Sequence, residues 1–154
     1  MNKTDIICPN TLKYSVLTTK DIFNTSNQTL YKYIQNQSTC LVIIDCNVYH
    51  IYQNTILNYF DSYHIIPTIV LFESNENSKN INSVEYITNK CIEYKLQRKE
   101  PIIAIGGGIL LDVVGYVASI YRRGVPYIKI STTLLSIVDV SVGIKTGINI
   151  IHNN

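Results

Sequence analysis

The sequence lacks the features that would place it in a membrane, on nucleic acid or outside the cell. No apolar run approaches the about 18 residues of a membrane-spanning helix, and the start, MNKTDIICPN, has no apolar signal-peptide core. The formal net charge of +2 is too small to indicate a nucleic-acid-binding surface. We therefore expect a cytoplasmic protein that binds neither membrane nor nucleic acid.

Several catalytic and metal-binding signatures are missing as well. The four cysteines show no C-x-x-C spacing, which favours free thiols over a disulfide framework or a zinc site. The three histidines show no H-E-x-x-H spacing, so we predict no metal site within this chain. The sequence also contains neither a G-x-S-x-G elbow nor a P-loop.

What the sequence does contain, from about residue 39 onward, is an alternation of short β-branched apolar runs with segments of helical periodicity. We predict strands over 39–45, 65–72, 101–105 and 126–130. The intervening helices are predicted over 48–60, 81–99 and 111–121, with a last one from about 133. This order is typical of an α/β fold with a mostly parallel sheet and helices on both faces.

The first 38 residues carry weaker signals. The stretch KYSVLTT predicts an edge strand over 13–19, and QTLYKYIQNQ predicts a helix over 28–37. A length of 154 residues corresponds to one domain. We therefore assign 1–38 to the same domain as the α/β unit at 39–154.

Three glycines, Gly106, Gly107 and Gly108, follow the third strand and precede a helix. Ligands of open α/β sheets bind at the carboxyl ends of strands, where helix N-termini attract phosphate. Leu111 breaks the G-x-G-x-x-G dinucleotide pattern, so the loop alone fits a phosphate site and a tight turn equally well. Asp112, expected in the first helical turn, either complements the helix dipole or accepts a ligand hydroxyl.

Other polar residues follow the first two predicted strands. Asp45 ends the first strand as a candidate acceptor for ribose hydroxyls, and Asn47 is expected at the N-cap of the next helix. Glu76 and Lys79 lie beyond the second strand, where they are either a solvated pair or part of a ligand site.

The last third of the chain adds cations and a carboxylate in apolar surroundings. Arg123, in YRRG, either complements a helix C-terminus or binds an anion. The pair Thr132 and Thr133 is expected to cap an apolar helix. Asp139 interrupts that apolar run, and Lys145 is its expected partner, either in a structural ion pair or in a functional site.

Taken together, these motifs resemble the N-terminal half of the sugar phosphate cyclase superfamily, which includes the 3-dehydroquinate synthases and the 2-epi-5-epi-valiolone synthases. The resemblance is carried by PIIAIGGGILLDVVGYVASIYRRGVPYIKISTTLLSIVDVSVGIKTGIN, and more loosely by IIDCNV and by ENSK, which is similar to the family's E-x-x-K. It implies a Rossmann-like NAD domain that is followed, in the family, by a mostly helical metal-binding domain.

The resemblance also implies roles for individual residues. Asp139 and Lys145 would face the nicotinamide and the substrate, and Arg123 would reach the substrate phosphate, often across a dimer interface. The implied NAD-binding residues are Asp45, Asn47, Glu76, Lys79, Gly106, Gly107, Gly108, Asp112, Thr132, Thr133 and Leu135.

The implied activity is a redox-neutral cyclisation of a seven-carbon sugar phosphate with loss of phosphate, which depends on NAD and on a divalent metal, zinc or cobalt. The segments GGGILLD and YRRGVPY favour the valiolone-synthase branch, which acts on sedoheptulose 7-phosphate, over 3-dehydroquinate synthase. The family's metal ligands belong to the helical domain, so we expect the isolated chain to be inactive.

Two alternatives follow from the same residues: a non-catalytic NAD-binding remnant, and a dehydrogenase of the iron-dependent alcohol and glycerol type. The expected partners are a sugar phosphate and either a second copy of the chain or a separate chain with the metal domain.

Overall fold

The computed structural model describes residues 14–143 and 145–150, and its strands and helices alternate as predicted. Short 3₁₀ turns lie at Glu76–Ser78 and Tyr121–Arg123, and a π-helical turn lies at Ser136–Val140. The main elements are α1 (Tyr31–Ile34), β1 (Thr39–Asp45), α2 (Cys46–Ser62), β2 (Ile66–Phe72), α3 (Ile81–Glu93), β3 (Ile102–Gly106), α4 (Gly108–Ile120) and β4 (Tyr127–Ser131).

The four strands form a parallel sheet in the order β2-β1-β3-β4. From β1 the chain first builds outward to β2, then crosses back to place β3 on the other side of β1. The carboxyl ends of β1 and β3 therefore flank a topological switch point, where sheets of this kind bind ligands. The α/β prediction is confirmed.

Helices cover both faces of the sheet, and the side chains of β1 alternate between two cores. Leu41 and Ile43 pack on one face with α3 and α4. Val42 and Ile44 pack on the other face with α2 and the segment around α1. Because the central strands are buried on both faces, they read in the sequence as continuous apolar runs.

Two predictions about the first half of the chain are wrong. Residues 14–19 form no strand and are exposed, whereas Lys13 lies outside the described residues. On α2, Ile51 and Tyr52 are exposed, whereas the buried Ile56, Tyr59 and Phe60 and the partly buried Val48 and Tyr49 pack on the core. The predicted helix at 28–37 shortens to the single turn α1.

Within the described ranges, no helix combines the length and the apolar character that crossing a membrane requires.

Candidate functional site

The three glycines form a loop at the switch point that is closely surrounded by other elements. A Cβ atom on Gly106 would lie 3.4 Å from Cβ of Asp45, and one on Gly107 would lie 3.2 Å from Cγ2 of Thr133. A Cβ on Gly108 would lie 3.4 Å from Cγ2 of Val140. None of the three has a positive φ. Space is therefore tight at Gly106, where an added Cβ would also lie 3.1 Å from Cδ1 of Leu110, and at Gly107, whereas the contact at Gly108 is an ordinary van der Waals distance. The loop brings together the segments that carry the other predicted site residues.

Asp45 fixes the start of α2 next to this loop. Its Oδ1 accepts hydrogen bonds from the backbone N–H groups of Asn47 at 2.9 Å and Val48 at 3.2 Å. The prediction that Asn47 is the N-cap is wrong, because α2 begins at Cys46, directly after the strand, and Asp45 takes the capping position. Asp45 is 8% exposed, so its carboxylate is held in place at the carboxyl end of β1.

Asp112 and Lys79 form an ion pair across the site. Lys79 Nζ lies 2.6 Å from Asp112 Oδ2, and the two side chains are 24% and 18% exposed. The prediction that Asp112 lies in the first turn of α4 is wrong, because the helix begins at Gly108 and not at Leu111. In the second turn it lies beyond the strongest part of the helix dipole, so its carboxylate is oriented by Lys79.

The loop that carries Glu76 and Lys79 is also tied to the segment 145–150. Asn149 Nδ2 donates to Glu76 Oε1 at 2.9 Å, and Asn149 N donates to the carbonyl oxygen of Lys79 at 2.7 Å. The sequence pattern gave no signal for Asn149, because its two partners lie about seventy positions earlier. Glu76 and Lys79 are therefore structured parts of the site and not a freely solvated pair.

The segment after β4 is anchored on the glycine loop, and of the predicted capping pair Thr133 accepts from the helix backbone whereas Thr132 contributes its backbone N–H. Thr132 N donates to the carbonyl oxygen of Gly106 at 3.0 Å. Thr133 Oγ1 accepts from Ser136 N at 3.3 Å, and Ser136, which the sequence reasoning missed, is fully buried. A π-helical turn begins at Ser136. Such turns are rare in proteins, and those that occur are often found at functional sites. Leu135 is 70% exposed beside this turn.

A cavity of about 490 Å³ opens between this turn and α4. Asp139 and Lys145 both line it, but within the described part of the chain they form no ion pair with each other. The structural ion pair predicted between these two described residues is therefore absent. Asp112 lines the same cavity, together with Tyr14, Val140, Val142 and Gly143.

The charge of Asp112 also acts on two residues of β4. Burial raises the pKa of Tyr127 well above its ordinary value, and the nearby Asp112 carboxylate raises it further. The Tyr127 hydroxyl donates to the carbonyl oxygen of Leu111 at 2.7 Å. Burial lowers the pKa of Lys129, and Asp112 partly opposes this effect. The sequence reasoning missed Lys129, although a lone cation in the apolar strand sequence PYIKI could have indicated it.

Arg123 is not brought to the cavity. Helix α4 starts at the glycine loop and runs back to the amino edge of the sheet, about 20 Å over its 13 residues. The turn after it places Arg122, Arg123 and Gly124 at φ values of 49°, 65° and 104°. Arg123 is exposed at this opposite edge, so within one chain it lies apart from the other predicted residues.

Leu111 is fully buried in the core beneath α4 and lines no part of the cavity. Among the residues described, no group of three His, Cys, Asp or Glu side chains is placed to hold a metal ion.

A glycine loop at the switch point of a parallel sheet, opening a helix and flanked by a fixed carboxylate, defines a Rossmann-like nucleotide-binding domain. Residues 69–154 match the family described as 3-dehydroquinate synthase N-terminal. The chain belongs to this family and is an N-terminal domain of the sugar phosphate cyclase superfamily.

Relatives from both branches are similar to the chain. A 2-epi-5-epi-valiolone synthase of Streptomyces albus is 44% identical over 114 residues, which are 73% of this chain and 28% of the relative. A 3-dehydroquinate synthase of Methylacidiphilum infernorum is 44% identical over 99 residues, which are 64% of this chain and 28% of the relative. Each match thus covers less than a third of the length of the relative.

The fold matches a solved structure of ValA, the 2-epi-5-epi-valiolone synthase of Streptomyces hygroscopicus subsp. jinggangensis 5008, with NAD+ and Zn2+ bound. The TM-score is 0.87 at 28% identity, and the match covers 95% of this chain and 40% of ValA.

Proposed function

We propose that this chain is the NAD-binding portion of a sugar phosphate cyclase. The observation that supports it best is the glycine loop at the switch point, where a Cβ atom added to Gly107 would lie 3.2 Å from Cγ2 of Thr133. The backbone of Gly106, Gly107 and Gly108 would hold the pyrophosphate at the N-terminus of α4. When bound, NAD supplies reversible oxidation of a ring alcohol.

The remaining side chains would surround the two ends of the cofactor. Asp45, with Asn47 beside it, and the Glu76–Lys79 loop would contact the adenosine end. Because Asp45 Oδ1 already accepts hydrogen bonds from the backbone of α2, the second carboxylate oxygen, Oδ2, would accept from the ribose hydroxyls. Asp112, which pairs with Lys79, would contact the cofactor beside the glycine loop, and Thr132, Thr133 and Leu135 would line the nicotinamide end. Asp139 and Lys145 share the cavity without pairing, which leaves both free for substrate.

The described residues do not fit the divalent metal of the family, because they supply no cluster of three ligands. We therefore expect the isolated chain to bind NAD without converting a sugar phosphate. We place the metal ligands in another domain or in a separate chain.

For the substrate we propose sedoheptulose 7-phosphate, with the substrate of 3-dehydroquinate synthase as the alternative. Because Leu111 is buried, it acts through the packing of α4 and not by touching a ligand. The adjacent arginines in YRRG are then the feature that favours the valiolone branch. Since Arg123 lies at the opposite edge of the sheet, its action on a substrate phosphate requires a second copy, and we propose a homodimer.

The NAD site is tested by titrating NAD into the purified chain in a calorimeter, with Gly107→Asp and Gly107→Asn as a matched pair. Aspartate and asparagine are both good N-caps and have similar size, so the main difference between the two variants is the charge. We expect saturable binding by the wild type and a loss of about a hundredfold in Gly107→Asp relative to Gly107→Asn, because the carboxylate repels the pyrophosphate. Absence of heat and of a thermal shift at millimolar NAD would overturn the proposed NAD site.

A further inference from the structure

Lys129 is a half-buried cation in the middle of strand β4. It lies opposite Ala104 in the β3–β4 register. Its neighbours Ile128 and Ile130 pack on the α2 side of the sheet, whereas Tyr127 packs on the α4 side. Since side chains alternate along a strand, Lys129 points to the α4 side, where burial disfavours its charge.

The ammonium group of Lys129 is bound by one turn of the backbone. Lys129 Nζ donates to the carbonyl oxygens of Val140 and Gly143, both at 2.8 Å. Val140 is the last residue of the π-helical turn and Gly143 lies three residues after it, where backbone acceptors have no partner within a helix. A cation that is partly removed from water is costly unless its donors are used, and here two of the three donors of Lys129 are used on this turn.

The turn held in this way lies directly on the predicted site. Its Val140 side chain approaches Gly108, and its residues line the cavity between Asp139 and Lys145. The amides of Val142 and Gly143 donate back to the carbonyl oxygen of Asp139 at 3.2 and 2.8 Å. A shift of the turn would therefore move the glycine-loop contact and both cavity side chains together.

We propose that Lys129 is a positioning residue of this site: its ammonium group clamps the turn at 140–143 over the glycine loop and thereby sets the positions of Asp139 and Lys145. The inference rests on the proposed function, because Lys129 would position parts of the proposed NAD site without touching the cofactor itself. Lys129 acts through the backbone, so any side chain with two suitably spaced donors can replace it.

The test compares Lys129→Met, Lys129→Arg and the control Lys90→Met, which removes a cation from the exposed part of α3. Amide hydrogen exchange of Ser141, Val142 and Gly143, followed by NMR, measures the clamp without any ligand. In Lys129→Met we expect these amides to exchange about tenfold faster, because hydrogen bonds to a charged group are lost. Amides in α2 should not change, and Lys129→Arg should restore slow exchange because the guanidinium also offers several donors.

NAD titration of the same variants provides the second readout. We expect Lys129→Met to bind NAD about tenfold more weakly and Lys129→Arg to recover. Wild-type exchange rates in Lys129→Met, or no rescue by arginine, would overturn the inference. If the wild type does not bind NAD, the proposed function fails, and the exchange rates still decide whether the clamp exists. Should Lys129→Met not fold, Lys129→Gln, which keeps one donor group, is expected to give intermediate exchange rates.

Discussion

The carboxylate of Asp45 serves two neighbouring structures at once. It satisfies two of the free N–H groups at the start of α2, and it lies at the carboxyl end of β1 beside Gly106. A side chain that is needed as a cap is also held in a single orientation, which is what a ligand-binding carboxylate requires.

The capping role gives a prediction for the stability of the chain. We expect Asp45→Ala to lower the free energy of unfolding by about 1 to 2 kcal/mol, whereas Asp45→Asn should cost less because asparagine caps nearly as well. Urea denaturation measures both, with the exposed Asp61→Ala as a control that should change stability by less than about 0.5 kcal/mol. Equal losses in the alanine and asparagine variants would show that capping is not the reason.

At this scale the sequence predicted residue types better than it predicted their partners. That Asp45 ends a strand follows from the apolar run before it, but whether Asp45 or Asn47 caps the helix depends on a shift of two residues. The pairing of Lys79 with Asp112 joins residues 33 positions apart. Such a contact is set by tertiary packing, which no local pattern encodes.

At the scale of elements, α4 and the segment 145–150 meet at Gly115. A Cβ atom there would collide with the Thr146 side chain and lie 3.0 Å from Cε1 of Tyr127. The segment that carries Lys145 therefore lies directly on the helix that opens at the glycine loop. The absence of a side chain at one helical position decides how closely the two elements approach.

This contact predicts that Gly115→Ala destabilises the protein although alanine is the better helix former. Helix propensity favours alanine by about 1 kcal/mol, but overpacking costs about 1 to 3 kcal/mol. We expect a net loss in urea denaturation that Thr146→Ser, which removes the colliding methyl group, partly restores. Gly147→Ala is the matched control, because a Cβ there meets nothing within 4 Å. A stabilised Gly115→Ala variant would contradict the packing.

The strands were the elements most easily predicted, because buried parallel strands are short apolar runs bounded by turn residues. Strand β1 matches its predicted range, and β3 and β4 are displaced by one residue. The prediction of an edge strand at 13–19 is wrong for residues 14–19, which the structure describes and which form no strand. Alternation in so short a segment does not specify pairing when no partner strand is near in sequence.

At the scale of the whole molecule, both cores contain buried thiols. Burial raises the pKa of Cys40 from 9.0 to about 12 and that of Cys91 to about 11. Each folded-state pKa lies above the unfolded value, so the neutral thiols stabilise the fold fully below about pH 9 and lose this contribution as the pH rises toward 11 and 12.

We therefore expect the free energy of unfolding to fall between about pH 8 and about pH 10.5, as measured by urea denaturation at the two pH values. Burial also raises the pKa values of Tyr59 and Tyr127, and these groups act in the same direction. Cys91→Ala should show a shallower decline, whereas Cys46→Ala, at the half-buried start of α2, should follow the wild type. A stability that is constant over this range would contradict the burial of the thiols.

The strand order has a consequence for how the protein reaches its fold. Strands β1 and β3 form the centre of the sheet and flank the ligand crevice, yet Leu41 pairs with Ile102, and the whole of α2, β2 and α3 lies between them. Pairings so distant along the chain must close a long loop before they gain any contact, which slows folding. The crevice should therefore be among the last regions to form during refolding, after the local β1–α2–β2 unit.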